Sequence, residues 1–552
     1  MAKHTMSEFV ELADKRVLII EDQKAFQVML KGLLLNLGAK EVEAKRTGEA
    51  GIAAYVRKPF DVMLVDYNLG RGKNGRQVLE ELKHRGVLKE DTIFFIITGD
   101  NTRPMVLSAL ELQPDDYLTK PFSHRVLRSR IARAYKRRMW LKDVFKSLYN
   151  GDYTACIDAC QRHIDSQSRY ATYCQKLQIE LFNKTQQLEQ AEAAIKRVLE
   201  DGVQPWIQLK LAETRLLQQR PKDALEIAEA VLKKMPNAIE AQDIKTRCYL
   251  LLDNPEEALE SARQSINMAP FSISRQTQLA HIARDNGDYE IAKQAMNNVL
   301  QIARTSVFRN VQHLCNYLRA ILDAAEHADT RQKVAKYQTE ATMELQRSRY
   351  DENIVYSELP FETLESILVS RIDAFNGRLR EAQQLLNKAV GDELSQKKPV
   401  PTELLADVII VLLDLGEFEK ANELAIAADD GHNIDSYTKK LLTERRELAR
   451  KTENAFRDVH QKGIRLYEQH NYKEALSVFR EALQLAPLNS GAALNYIQTA
   501  VSYCQNTGKV ELEFLRKECA NCFKTLQGLP LSDTHKQRYE YLLEQTATLG
   551  LR

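Results

Sequence analysis

Five polar residues stand at the ends of apolar runs, and their types together suit the transfer of a phosphoryl group to a carboxylate. Asp66 closes Phe60-Asp61-Val62-Met63-Leu64-Val65-Asp66. Upstream, Val17-Leu18-Ile19-Ile20 leads into Glu21-Asp22. Downstream, Phe94-Phe95-Ile96-Ile97 ends in Thr98, and Asp115-Asp116-Tyr117-Leu118-Thr119 ends in Lys120-Pro121. Acyl phosphate formation needs a carboxylate nucleophile, a divalent cation and groups that neutralise the equatorial oxygens of the phosphoryl. Asp66 supplies the nucleophile. Glu21 and Asp22 add oxygen donors suited to a hard cation such as Mg2+, which keeps part of its water shell. Lys120 offers a point charge and Thr98 a hydroxyl donor. The cation also offsets repulsion between three acids and an incoming dianion.

The pattern around these residues predicts what must position them. Strands are expected at about 16–20, 41–44, 61–65, 92–97 and 115–118, with helices near 24–37, 47–57, 75–84 and 102–112. A further helix starts after Pro121, with Ser123 as its N-cap. Such alternation predicts a parallel sheet covered on both faces, with ligands at the carboxyl ends of its strands. Asp22, Asp66, Thr98 and Lys120 all fall at or just after such ends.

Residues 16 to about 123 resemble the receiver domain of bacterial response regulators: an acidic pair after the first strand, an aspartate after the third, Thr/Ser after the fourth and Lys-Pro after the fifth. The resemblance implies a flavodoxin-like, doubly wound sheet of strand order 2-1-3-4-5. It implies Asp66 as phosphoacceptor, with Thr98 and Lys120 serving the phosphoryl. Mg2+ is then held by Glu21, Asp22, Asp66 and the backbone carbonyl of Asn68. Thr98 and Tyr117 act as the switch, repositioning the face of the fourth helix, fifth strand and fifth helix. A histidine kinase or phosphotransfer protein is the implied donor. Gly99 leaves the phosphoryl accessible, and Asp100 and Asn68 stand where the family tunes hydrolysis. The loop Asn68-Leu69-Gly70-Arg71-Gly72-Lys73-Asn74-Gly75 departs from the family, where a shorter loop with a proline is usual.

The rest of the chain repeats. Pro221-Lys222-Asp223-Ala224-Leu225 recurs as Pro255-Glu256-Glu257-Ala258-Leu259 and as Tyr289-Glu290-Ile291-Ala292-Lys293, so Ala224, Ala258 and Ala292 are 34 residues apart. Pro236 and Pro270 lie twelve residues after the first two alanines, and Tyr472-Lys473-Glu474-Ala475-Leu476 is followed at the same offset by Pro487. Arg304 stands where the third unit would carry its proline. A small residue lets two helices approach closely and a proline stops the second, as in stacked helical hairpins. The region resembles tetratricopeptide (TPR) repeats, best at 456–489 through Gly463, Ala475, Phe479, Ala482 and Pro487. Units at 205–304 carry Ala212, Thr246 and Ala280 at the position of Gly463. Insertions are expected near 346–360 and 431–455. The expected layout is a receiver at 1–123, a basic helical extension at 124–150, TPR-like repeats at 151–345, divergent helical repeats at 346–455 and C-terminal TPR-like repeats at 456–552.

Other features weigh toward packing. From Arg125 to Lys146 there are nine Lys/Arg and one acid, Asp143. A nucleic-acid helix is one reading, with Arg137 and Arg138 as its test positions. The preferred one is the fifth receiver helix running into a linker, with Leu127, Ile131, Tyr135 and Val144 as its packing stripe. Pairing of this face with a second copy or with the repeats stays open, so a homodimer does too. Cys519-Ala520-Asn521-Cys522 lacks two further zinc ligands. Gly70-x-Gly72-x-x-Gly75 lies beside Asp66 with no acidic partner at dinucleotide-site spacing. His163, His281, His313 and His327 are isolated.

The 552 residues are 44% hydrophobic and 28% charged with net charge +2, which gives no global reason to expect nucleic acid or an anionic membrane. Eight scattered cysteines read as reduced cytosolic thiols. Met1 to Lys15 has no apolar core, and the run Val408 to Leu413 is far short of a membrane span. A cytoplasmic response regulator is therefore expected, a phosphoacceptor signalling protein and not an enzyme beyond its own phosphorylation and dephosphorylation. Its output is protein binding by the TPR solenoid. Alternatives are an auxiliary regulator of a histidine kinase or its phosphotransfer, and a DNA-binding transcription regulator using the 125–146 helix.

Overall fold

A computed structural model describes residues 12 and 14–551, apart from 100–101, 355, 357–358, 397–398, 432–434, 508–511, 528–530 and 532. Asp100 thus lies outside the described residues. The chain divides into two compact units, Met1–Arg309 and Asn310–Arg552.

The first unit begins with the expected alternation: β1 (Arg16–Ile20), α1 (Lys24–Asn36), β2 (Glu41–Lys45), α2 (Gly48–Arg57), β3 (Val62–Asp66), α3 (Gly75–His84), β4 (Ile93–Thr98), α4 (Arg103–Glu111), β5 (Asp116–Thr119) and α5 (His124–Trp140). The strands are parallel in the order β2-β1-β3-β4-β5. The central strands are continuous runs of Val, Ile, Leu and Phe because both their faces are covered. Leu30 and Leu34 of α1 and Leu127 and Ile131 of α5 share one core with Val17, Ile19, Leu64 and Phe95. Ile52 and Tyr55 of α2, Val78 and Leu82 of α3 and Ala109 of α4 share the other with Leu18, Met63 and Phe94. Each fully buried side chain of this size contributes about 1.5–3 kcal/mol.

Ser123 caps α5, its Oγ accepting from Val126 N at 3.3 Å. The basic residues of α5 largely face the sheet's own acids. Arg130 and Arg133 reach Asp116 at 2.8 and 2.7 Å, and Arg137 and Arg138 reach Asp115 at 3.0 and 2.8 Å. That engagement supports the packing reading of this helix over the DNA-binding one.

Ten helices complete the first unit: α6 (Lys142–Tyr149), α7 (Tyr153–Asp165), α8 (Ala171–Lys184), α9 (Leu188–Glu200), α10 (Pro205–Leu217), α11 (Pro221–Lys234), α12 (Ile239–Leu251), α13 (Pro255–Met268), α14 (Ile273–Asp285) and α15 (Tyr289–Arg304). The small residues set by the 34-residue period are buried: Ala212, Thr246 and Ala280 on first helices, Ala224, Ala258 and Ala292 on second ones. Pro236 and Pro270 follow the ends of α11 and α13, while α15, which lacks that proline, continues to Arg304.

The turns carry a repeat of their own. Among the described residues, the position two before a second helix has positive φ at Gly151, Gln186, Gln219, Asp253, Gly287, Gly377, Gly416 and His470. For a non-glycine residue this conformation costs about 1–2 kcal/mol, against about 0.5–1 kcal/mol of extra backbone entropy lost by glycine. Gln219→Gly is therefore expected to stabilise the protein by about 0.5–1 kcal/mol. Thermal denaturation checks it, and an unchanged or lower midpoint would contradict the conformational argument.

The second unit is helical throughout its described residues, from Val311–Glu326 to Asp533–Leu549. Among the described residues between Ser348 and Phe361 there is no helix, in the stretch 346–360 where an insertion is expected. The expected insertion at 431–455 takes another form. Ser436–Glu468 is one helix of 33 residues, running unbroken into the unit expected to begin at 456. No Gly or Pro occurs between 436 and 462 to stop it. In that last unit Gly463 does what its position predicts: a Cβ there would meet the Phe479 ring at 2.7 Å.

This unit also buries an ionic network that no local pattern announces. Asp407 accepts from Arg319 Nη2 at 2.6 Å and from Arg371 Nη1 at 2.7 Å. Arg371 continues to Glu326 at 3.0 Å, and Arg445 joins Glu326 at 3.3 Å to Asp414 at 2.7 Å. The Cys519 and Cys522 side chains lie in an apolar core with Leu515 and Phe523. No described helix is long and apolar enough to cross a membrane.

Candidate functional site

The site follows from strand order. β1 and β3 are neighbours, so the residues after β1 meet the last residue of β3. Carboxylate oxygens of Glu21, Asp22 and Asp66 all lie within 4.8 Å of one another. Glu21 is 1% exposed and Asp66 5%, so these are acids taken out of water. Lys120 arrives from beyond β5. Its Nζ donates to Glu21 Oε2 at 2.7 Å and lies 3.2 Å from Asp66 Oδ2. The same ammonium stands 4.2 Å from the centroid of the Phe26 ring. The Lys120-Pro121 peptide is cis. The β4–β5 register pairs Thr98 with Thr119, and Lys120 N donates to Thr98 O at 2.7 Å.

Electrostatically the cluster carries more negative charge than its surroundings favour. Burial pushes the Glu21 carboxyl above the ordinary carboxylate range, opposed by the hydrogen bond from Lys120 and reinforced by the charge of Asp66. Burial likewise raises Asp66, against the pull of Lys120. Asp22 Oδ1 is buried with no hydrogen-bond partner. A buried polar atom left so costs about 1–3 kcal/mol. Three clustered carboxylates, one with an orphaned oxygen, form a donor set that fits a hard divalent cation.

The structure thus brings Glu21, Asp22, Asp66 and Lys120 together. Thr98 is buried at the end of β4, on the strand between β3 and β5. Asn68 is exposed two residues past Asp66, its Oδ1 accepting from Gly70 N at 3.4 Å. Tyr117 is half-buried against the core that holds Ile96 and Ala109. Three supporting residues were not foreseen. Gln27 Nε2 donates to the Glu21 carbonyl, and to Lys45 O at 3.1 Å, tying the acidic pair to β2. Phe26 floors the lysine. Gly75 packs on the chain at Asp66, where a Cβ would stand 2.3 Å from the Asp66 carbonyl oxygen. The only sequence signal for Phe26 and Gln27 is their position one turn after the acidic pair.

Comparison with known proteins agrees with this geometry. The family model of the response regulator receiver domain matches residues 17–132, and that of the tetratricopeptide repeat matches 274–306. The phosphate regulon transcriptional regulatory protein PhoB of Pseudomonas aeruginosa is 32% identical over 126 residues, 23% of this chain and 54% of that protein. The probable chemotaxis protein CheY of Rhizobium etli is 27% identical over 123 residues, 22% of this chain and 94% of that protein. The chain thus spans about half the length of PhoB and nearly all of CheY. Among solved structures, the Mn(2+)-bound form of response regulator Rcp1 is 26% identical, with 23% of this chain and 94% of that one covered, at a TM-score of 0.20.

Proposed function

We propose, from the premise that residues 17–132 are a response regulator receiver domain and 274–306 a tetratricopeptide repeat, that this chain takes a phosphoryl group onto Asp66 and signals by changing what its helical repeats bind. The observation that carries the reading is the convergence of Glu21, Asp22, Asp66 and Lys120, with one acid oxygen orphaned. Glu21, Asp22, Asp66 and the Asn68 carbonyl are the residues that would hold Mg2+, which when bound neutralises charge on the phosphoryl oxygens. An Asp66 oxygen attacks phosphorus in line. The P–N bond to a donor imidazole breaks, the imidazole keeps the electron pair, and an acyl phosphate forms. Lys120, already beside Asp66, takes one phosphoryl oxygen as a point charge, and the Thr98 hydroxyl donates to another. Tyr117 then fills the space left by Thr98. Hydrolysis returns the carboxylate. The donor is a histidine kinase or phosphotransfer protein, and the output a protein partner of the repeats.

Labelled acetyl phosphate tests the site. Wild type is expected to incorporate phosphoryl with Mg2+ present, and Asp66→Asn at least about a hundredfold more slowly, because the nucleophile is gone. Incorporation by Asp66→Asn at the wild-type rate would sink the assignment. Protein capture with and without the phosphodonor tests the output: a partner set identical under both conditions in wild type removes the switch.

A further inference from the structure

One face of α3 grips the chain's own repeats. Lys73, Gln77, Glu80 and His84 follow helical spacing along a single stripe that begins just before the helix. Each touches the segment after α15. Lys73 Nζ donates to Thr305 O at 2.8 Å, and Gln77 Nε2 to Thr305 Oγ1 at 2.8 Å. Ser306 Oγ donates to Glu80 Oε2 at 3.2 Å, and the His84 ring meets Phe308 edge-on at 4.9 Å. The missing repeat proline bears on this. With Arg304 in its place α15 runs on, and Thr305 to Phe308 follow directly onto α3. Arg275 of α14 flanks the contact, pairing with Asp243 at 2.7 Å and with Glu111 at the end of α4.

The other end of this stripe is fixed to the phosphoryl site. Gly75 leaves no room for a Cβ over the Asp66 carbonyl, and its N–H donates to Tyr67 O at 2.9 Å. Gln77 closes a capping box with Asn74 and also reaches Thr305. The loop 68–75 is the one that departs from the receiver pattern. Its Gly70 and Gly72 have positive φ, and Lys73 N is anchored on Glu49 Oε1 at 2.8 Å. Asp66, the unusual loop, α3 and residue 305 thus form one short chain of contacts.

We propose that the β3–α3 segment, 68–84, is an interaction surface for the chain's own repeats, and that phosphorylation of Asp66 loosens its hold on 305–308. This rests on the reading of Asp66 as phosphoacceptor. The direction follows from geometry. Both bonds to Thr305 sit at near-optimal length, so displacement of the first turn of α3 in either direction weakens them. The occupant is the repeat segment itself, and a partner of the repeats would gain access to residues 305–308 when the hold is lost.

Hydrogen exchange on the full chain tests this, with acetyl phosphate and Mg2+ present or absent and phosphoryl on Asp66 quantified in the same samples. Without the donor, Lys73→Ala and Thr305→Val are each expected to speed exchange of the 303–309 amides about three- to tenfold, the effect of losing one hydrogen bond. Unchanged protection of β3 shows that the variants are folded, and Thr305→Val leaves the receiver intact should Lys73→Ala fail to fold. Phosphorylated wild type is expected to show a similar increase, with little further gain in the variants. Wild-type exchange in both variants overturns the grip. Phosphorylated wild type with unchanged protection at 303–309 overturns the coupling while leaving the Asp66 assignment standing. Absence of phosphoryl on wild-type Asp66 removes that assignment and the coupling with it, and the variants without donor still decide the grip.

Discussion

Asp407→Ala is expected to destabilise the second unit by about 3–5 kcal/mol, the cost of leaving buried charges without their partner. Arg319 and Arg371 are almost fully buried, and Asp407 is the acid they share. Its removal takes the acid partner from Arg319 and leaves Arg371 on Glu326 alone, and Arg371 Nε already lacks a hydrogen-bond partner. The experiment is simplified by the placement of the two tryptophans, Trp140 and Trp206, both in the first unit. Circular dichroism should show part of the helix signal melting early, while tryptophan fluorescence keeps its wild-type transition. A wild-type melting profile in the variant would show that the network is not what holds these helices. The exposed pair Asp329–Lys333 is the control, and Asp329→Ala should leave the midpoint unmoved. Burial raises the Asp407 carboxyl, but Arg319 and Arg371 outweigh it and hold it below its ordinary value. A depressed carboxyl stabilises the fold above the ordinary aspartate range and loses that contribution as pH falls through its folded value. The difference between wild type and Asp407→Ala should therefore shrink in acid.

The second large effect concerns the cation. Asp22→Asn removes one charge from the cluster and leaves the Lys120 contacts to Glu21 and Asp66 in place. Without metal, the variant should melt at or above the wild-type temperature, because repulsion among the acids is relieved. With saturating Mg2+ the order should reverse. A ligand present at about a hundred times its Kd stabilises by about 2.7 kcal/mol, and loss of a direct ligand should weaken binding by at least about 10–100-fold. Chelation should restore the first order. Equal Mg2+-induced shifts in both proteins would remove Asp22 from the ligand set.

Much of this was legible in the chain because receiver strands announce themselves twice, by an apolar run and by a polar residue at its end. Glu21, Asp22, Asp66, Thr98 and Lys120 were each placed by that coincidence, and the order of the strands then brings four of them together. Phe26 and Gln27 were not legible, because a ring under an ammonium and an amide on two carbonyls have no sequence signature of their own. The Asp407 network was invisible for a related reason. Its members come from helices far apart in sequence, and each reads singly as a charge on an amphipathic surface. The long helix Ser436–Glu468 was not legible because the repeat phase places a boundary at 456, although no Gly or Pro stands before Gly463 to interrupt it. The basic helix shows the converse. Its charges suggested an outside partner, and the acids that engage four of them lie 14 to 23 residues upstream at Asp115 and Asp116.

The turn two residues before a second helix bears on which residue types such hairpins can tolerate. Its left-handed backbone is kept in eight hairpins, by glycine in four and by Gln, Asp or His in the rest. The matched tetratricopeptide unit, 274–306, is one whose turn carries glycine, at Gly287. What these hairpins share at this position is a dihedral angle, not a residue type. A pair of helices can therefore turn in the same way whichever of Gly, Gln, Asp or His supplies the left-handed residue.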